Sequence, residues 1–157
     1  ALGRPVTKVR QHWLNDAGHV TPGIHEHLVT HDSTLAFNDG IGFRSGTASR
    51  HRPFDHVLGR PVEVLETPLV IMDSTLFDYG ADDPASRTGQ ALDLLSGLGR
   101  FKSSRVSICW HQRVRSPDYG WHEVYDRMLP GFAAGLGASS PGAFRDVSRE
   151  MRPGGGR

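Results

Sequence analysis

The most regular pattern of apolar and polar positions lies between residues 67 and 111, and it predicts a strand, a helix and a second strand. Thr67–Asp73 is a nearly continuous apolar run, as expected for a strand that is covered on both faces. Asp83 and Pro84 suit the N-cap and the first position of a helix. The apolar side of this helix follows helical spacing and comprises Ala91, Leu92, Leu94, Leu95 and Leu98. Apolar and polar residues then alternate from Arg105 to His111, which predicts a strand with two different faces.

The order strand, helix, strand has a consequence for two polar residues. A crossover of this kind makes the two strands parallel, so Asp73 and His111 should emerge at the same carboxyl edge of one sheet. In open α/β sheets and in (β/α) barrels, active sites form at that edge. The pattern therefore predicts an α/β fold with its functional residues near Asp73 and His111.

The flanking regions are less regular. Thr21 and Pro22 predict a short helix over roughly 22–29, and the next stretch, 31–37, predicts a strand that ends in a loop. Residues 38–61 are rich in glycine, arginine and proline and predict a long irregular connection. A final helix is expected from about Trp121 to Leu129. We expect one domain over 1–130, followed by a disordered Gly/Ala/Pro-rich tail over 131–157.

Composition narrows the functional classes. The chain has 157 residues, enough for one domain, and its 18 basic and 17 acidic side chains form no basic stripe that would favour a nucleic-acid partner. No apolar run is long enough for a signal peptide or a membrane span, and the compartment stays open. The single cysteine, Cys109, cannot form an internal disulfide.

Three residues are candidates for chemistry at the predicted sheet edge. His111 can donate a proton near neutral pH, and a neighbouring carboxylate such as Asp73 can orient its ring. Arg44, in Gly42–Gly46, can fix a second carboxylate. Each has a structural alternative: a strand-end histidine bonded to backbone, an aspartate in a turn, and an arginine in a surface ion pair.

Two further combinations are weaker. The histidines at 25, 27 and 31 suggest a metal, because His27 and His31 would share a helical face, but the helix is expected to end before His31. Cys109 and His111 lie on one strand face, where neighbouring side chains point outward in parallel rather than toward each other. We therefore predict no metal-ligating histidine pair and no cysteine nucleophile.

Five segments taken together resemble the second half of polysaccharide-deacetylase-like proteins of the carbohydrate esterase 4 class. The resemblance spans roughly Val9 to Leu129, and its two longest strings are fairly specific. The segments are Arg10-Gln-His-Trp-Leu, His31-Asp-Ser-Thr-Leu-Ala-Phe, Gly42-Phe-Arg-Ser-Gly-Thr, Leu65-Glu-Thr-Pro-Leu-Val-Ile-Met-Asp-Ser-Thr-Leu, and Cys109-Trp-His-Gln-Arg.

The resemblance implies a distorted (β/α) barrel and a divalent metal, commonly zinc, that activates water against an acetyl group of a carbohydrate. It implies that His111 is the general acid, that Asp73 is the acidic residue beside it, and that Arg44 is the orienting arginine. The residues that it implies for substrate contact are Trp110, Phe43 and Asp32.

The early motifs that hold the metal in this family have no counterpart in the chain. Neither paired aspartates after a strand nor a metal-binding histidine pair occurs in its first part. We therefore expect a partial barrel, the C-terminal half of a metal-dependent deacetylase, with no metal ligands of its own. The alternative is a non-catalytic carbohydrate-binding remnant of the fold. Either form leaves strand edges unpaired, which favours self-association.

Overall fold

The computed structural model describes residues 3–79, 83–101, 103–116 and 121–135. The strands are β1 Lys8–Val9, β2 His31–Asp32, β3 Phe54–Asp55, β4 Arg60–Pro61, β5 Leu65–Glu66, β6 Leu69–Met72 and β7 Ser107–Cys109. The helices are α1 Val20–His25, α2 Asp73–Phe77, α3 Pro84–Leu98 and α4 His122–Gly135. Short turns of tighter helix occupy His12–Leu14 and Gln112–Arg115.

The predicted strand, helix and strand are confirmed. β6 and β7 pair in parallel, with Leu69 opposite Ser107 and Met72 opposite Cys109. Every residue of β6 is buried, as the unbroken apolar run requires. The two faces of β7 also separate as the alternation predicts, because Ile108 packs with the main core whereas Cys109 packs with a second apolar cluster.

Helix α3 begins at the predicted cap. One carboxylate oxygen of Asp83 accepts hydrogen bonds from the backbone N–H groups of Ala85 and Ser86, at 3.0 and 3.1 Å. The apolar stripe of the helix then packs on β6, α2 and α4. The buried residues of this main core are Val70, Ile71, Leu76, Ala91, Leu95, Leu98 and Met128.

The other parallel strands follow in chain order. β1 pairs with β2, and β2 pairs with β5, in both cases in parallel. Residues 65–72 connect the two parallel sheets: Thr67 donates its N–H to the carbonyl of Asp32 at 2.9 Å, and the carbonyl of Pro68 accepts from Ser107 at 2.8 Å. A partial barrel requires parallel neighbours in chain order. The described sheets are small and none of them closes, so the barrel stays a prediction.

The structure differs from the sequence prediction at several element boundaries. α1 covers Val20–His25, because the Thr21 hydroxyl accepts from the N–H of Ala17 rather than capping a helix that starts at Pro22. β3 and β4 form an antiparallel pair inside the stretch predicted to be irregular.

α4 continues past Pro130 to Gly135, beyond the helix end at about Leu129 that the sequence predicts. Helix-favouring Ala133 and Ala134 follow the proline. The rest of the predicted tail, 136–157, lies outside the described residues. Within the described part of the chain, no helix combines the length and apolar character needed to cross a membrane.

Candidate functional site

Asp73 stands where β6 passes into α2, and its side chain is completely buried. Its Oδ1 atom accepts a hydrogen bond from the N–H of Ser74 at 2.8 Å and contacts the Nδ1 atom of His111 at 2.7 Å. Its Oδ2 atom accepts from the backbone N–H of His111 at 2.9 Å. Three N–H groups therefore donate hydrogen bonds to this buried carboxylate and hold it in place. Two of these groups belong to His111, just beyond the neighbouring strand β7.

His111 lies just beyond β7 and is held by Asp73 at both its backbone and its ring. A carboxylate only accepts, so the Nδ1 atom carries the proton in this hydrogen bond. The side chain is 41% exposed, and Nε2 is the ring nitrogen that does not contact Asp73. This arrangement presents one ring nitrogen to a ligand and fixes the other on Asp73, as proton transfer requires.

Arg44 does not join this pair. Its guanidinium donates to the carbonyl of Ala36 at 3.1 Å and lies 3.5 Å from a carboxylate oxygen of Asp16. Asp16 is mostly buried, and this contact is the kind of ion pair given above as the structural alternative for Arg44. Gly42 and Gly46 flank the arginine with φ values of 122° and 70°, a conformation that glycine adopts without strain.

The predicted substrate-contact residues have other surroundings. Phe43 and Trp110 both pack against the main core. The Trp110 ring meets the rings of Phe77 and Tyr125, with centroids 6.2 and 5.2 Å away. In the described structure its indole N–H is buried and has no hydrogen-bond partner. Both rings are partly buried and contribute to the packing of the main core.

Asp32 is buried in a second histidine–aspartate pair. Its Oδ2 atom lies 2.5 Å from Nδ1 of His25, and its Oδ1 atom accepts from the N–H and the hydroxyl of Thr34. The other ring nitrogen of His25 is 2.8 Å from the side-chain nitrogen of Gln11. Asp32 thus acts on its surroundings through His25 and Gln11 and has no exposed oxygen for a ligand.

Glu66 completes a buried acidic group that the sequence did not single out. Burial raises the pKa of Glu66 to about 8, and the charges of Asp32 and Asp16 act in the same direction. The N–H of Leu35 donates to one of its oxygens at 3.0 Å, which opposes the shift. The signal in the sequence was a carboxylate inside an otherwise apolar stretch, between Leu65 and Leu69.

A polar cleft of about 640 Å³ opens beside the Arg44–Asp16 pair. The residues that line it include Gln11, Trp13, Asn15, Asp16, Asn38 and Arg44. Trp13 is one of the most exposed aromatic side chains, with 67% of its surface accessible. Trp13 belongs to a string on which the family resemblance rests, but nothing in the sequence indicates that its side chain is exposed.

The described residues give no support for a metal centre. His27 is largely exposed just after α1, whereas His31 lies in β2, so the two do not share a helical face. In the described ranges, no group of three or more His, Cys, Asp or Glu side chains is arranged to hold an ion. Within those ranges the side chains form no ligand set for the metal that the family resemblance implies.

Comparisons with protein-family models, with curated proteins and with solved structures found no match.

Proposed function

We propose that this chain carries the proton-donating half of a hydrolytic site that removes acetyl groups from carbohydrate, with His111 as general acid and Asp73 as its orienting partner. The observation that carries the proposal is the contact between a buried carboxylate and a partly exposed histidine at the carboxyl ends of two parallel strands. The resemblance of the late sequence segments to polysaccharide deacetylases supports the choice of substrate class.

The proposed step is a single proton transfer. In the tetrahedral intermediate formed when water has added to the acetyl carbonyl, the protonated imidazole of His111 donates the proton on Nε2 to the sugar nitrogen or oxygen. The bond from that atom to the former carbonyl carbon breaks, the C=O bond re-forms and acetate leaves. The bonding electrons stay on the sugar atom, and the ring is left neutral with its remaining proton on Nδ1. Asp73 accepts the Nδ1–H bond throughout, so the ring keeps one orientation before and after the transfer.

A non-catalytic carbohydrate-binding protein is the second candidate function. It is favoured by the polar cleft beside Trp13. The two candidates share the ligand class and differ in whether acetate is released.

The decisive experiment measures acetate release from N-acetylchitopentaose and from acetylated xylan by the product of the complete reading frame, with zinc added. His111→Ala should lower the rate by about 100-fold or more, the usual contribution of a positioned proton donor, and leave zinc affinity unchanged. His27→Ala is the matched control, because His27 is exposed and lies away from Asp73. An unchanged rate in His111→Ala would overturn the assignment of the acid. Absence of acetate release by the wild-type protein would overturn the hydrolase in favour of the binding protein.

A further inference from the structure

The turn at His12–Leu14 has an unusual backbone. Trp13 has φ 60° and ψ 16°, and Leu14 has φ 50°, so two successive bulky residues lie in the left-handed region. Such conformations are strained for residues other than glycine and persist only where the surroundings impose them. Backbone bonds from Leu14 to Gln11 and from Asn15 to His12 close the turn, at 3.1 and 3.3 Å.

Burial of Leu14 explains how the strained turn is held. Its side chain is almost completely buried in the second apolar cluster, which also contains Ala36, Leu69 and Met72. Cys109 packs against the same cluster. Leu14 is buried whereas its neighbour Trp13 is 67% exposed, so the turn places one side chain in the core and the other at the surface.

Trp13 is part of a small exposed aromatic surface. The ring of His12 meets it edge-on, with centroids 5.6 Å apart and planes at 72°. The ring of Tyr79 lies 6.4 Å away at a tilt of 38°, and Tyr79 is itself exposed. A rigid aromatic surface that solvent can reach is suited to stacking against another flat apolar face.

The polar groups of the cleft lie beside this surface and are fixed from beneath. The Gln11 side chain is tied to the buried His25–Asp32 pair, and Arg44 is tied to Asp16. Asn15 and Asn38 add two amide groups, each with donors and acceptors. The site therefore has mixed apolar and polar character, because amides, a carboxylate and a guanidinium are held in position around an aromatic ring.

A sugar ring has the matching chemistry, because one face presents C–H groups while its rim carries hydroxyls that both donate and accept. The cleft holds Asp16 as well as Arg44, so its charges are balanced and do not select a polyanion such as nucleic acid. We propose that Trp13, with Tyr79 and the polar residues of the cleft, forms a binding subsite for a neutral oligosaccharide. This inference rests on the carbohydrate specificity proposed above but does not depend on the hydrolytic step.

The subsite and the Asp73–His111 pair lie on a common support. Leu14 packs with Met72, the last residue of β6, which directly precedes Asp73. It also packs with Cys109, the last residue of β7, which lies two positions before His111. Tyr79 follows α2, the helix that Asp73 begins, and helical rise puts the two residues on the order of 10 Å apart. A bound chain of a few sugar units could therefore cover Trp13 and reach His111.

The test measures binding of N-acetylchitopentaose, xylopentaose and cellopentaose to the full chain by isothermal titration calorimetry. For whichever of the three oligosaccharides binds, Trp13→Gly should weaken the affinity at least ten-fold. The same variant should match or exceed the thermal stability of the wild type, because glycine relieves the strain at φ 60°. Lower affinity with undiminished stability is the signature of a binding role, whereas a purely structural Trp13 would show lower stability.

Phe54→Ala is the matched control, since Phe54 is an exposed aromatic residue on the separate β3–β4 pair, and its affinity should equal that of the wild type. Wild-type affinity in Trp13→Gly, or no binding of any of the three oligosaccharides at millimolar concentration, would overturn the subsite. Loss of acetate release in His111→Ala with binding independent of Trp13 would remove the subsite and keep the hydrolase. If binding depends on Trp13 but the wild-type protein releases no acetate, the subsite is kept and the hydrolase is removed.

Discussion

Two histidine–aspartate pairs in the described part of the chain have similar contacts and differ in exposure. Both members of the His25–Asp32 pair are buried, so the pair can act only on its neighbours, through Gln11 and Thr34. In the other pair only Asp73 is buried, and His111 presents part of its ring to solvent. A buried carboxylate beneath an accessible imidazole is the arrangement that proton transfer to a ligand requires.

The raised pKa of Glu66 predicts how the free energy of unfolding depends on pH. Its folded pKa of about 8 lies above the ordinary value of 4.5, so the folded protein binds this proton more tightly than the unfolded chain does. The contribution is fully present below about pH 4.5 and is lost as the pH rises to about 8. Over that window the free energy of unfolding should fall by a few kcal/mol relative to Glu66→Gln, which does not titrate. Urea denaturation of both proteins at several pH values measures the difference.

Glu66→Gln is a close control because its amide oxygen can still accept the hydrogen bond from Leu35. Burial lowers the pKa of His31, which makes stability rise with pH below about 6.5, but both proteins share that effect and it cancels in the comparison. Equal pH dependence in the two proteins would show that Glu66 is ionised in the fold.

The sequence predicted the positions of some site residues and missed others for a physical reason. Asp73 and His111 end two strands whose apolar patterns are local, so their common edge followed from the crossover rule. Glu66 acquires its raised pKa first from burial and then from the charges of Asp32 and Asp16, which are remote from it in the sequence. Such proximity depends on how loops pack, and no local pattern encodes it.

At the scale of elements, α3 is the part most completely specified by local residues. Its N-terminal N–H groups find an acceptor in Asp83, and its apolar stripe faces the core. The turn at His12–Leu14 is the opposite case: neither of its left-handed residues is glycine or asparagine, so only the burial of Leu14 accounts for it.

Asp83→Ala tests the cap. Removing the carboxylate leaves the N–H groups of Ala85 and Ser86 without their acceptor and should lower the free energy of unfolding by about 1 kcal/mol. Urea denaturation followed by circular dichroism gives the value. Asp93→Ala serves for comparison, because Asp93 is exposed within the same helix and alanine is the better helix former there. A loss of equal size in both variants would mean that the cap contributes nothing specific.

At the scale of the whole molecule, residues 65–72 join the two parallel sheets, and the parallel strands follow one another in chain order. This order agrees with the partial (β/α) barrel that we predict. In the described part of the chain none of the sheets closes, so each ends in edge strands.

The open edges predict self-association. The weight-average mass measured by sedimentation should rise with protein concentration in the micromolar range, because strand edges of two copies can pair. Thermal unfolding should shift with concentration in the same samples. A monomer at all concentrations with one cooperative, concentration-independent transition would contradict this prediction.

By itself the sequence determined the apolar run of β6, the cap and stripe of α3 and the alternation of β7, and through them the meeting of Asp73 with His111. These features depend on neighbouring residues and on the periods of strand and helix, which are local. Only the tertiary structure decided that Asp32 is buried on His25, that Arg44 pairs with Asp16 and that Trp13 faces solvent beside a cleft. Those contacts join segments that are distant in the sequence, and their burial is set by the packing of the whole chain.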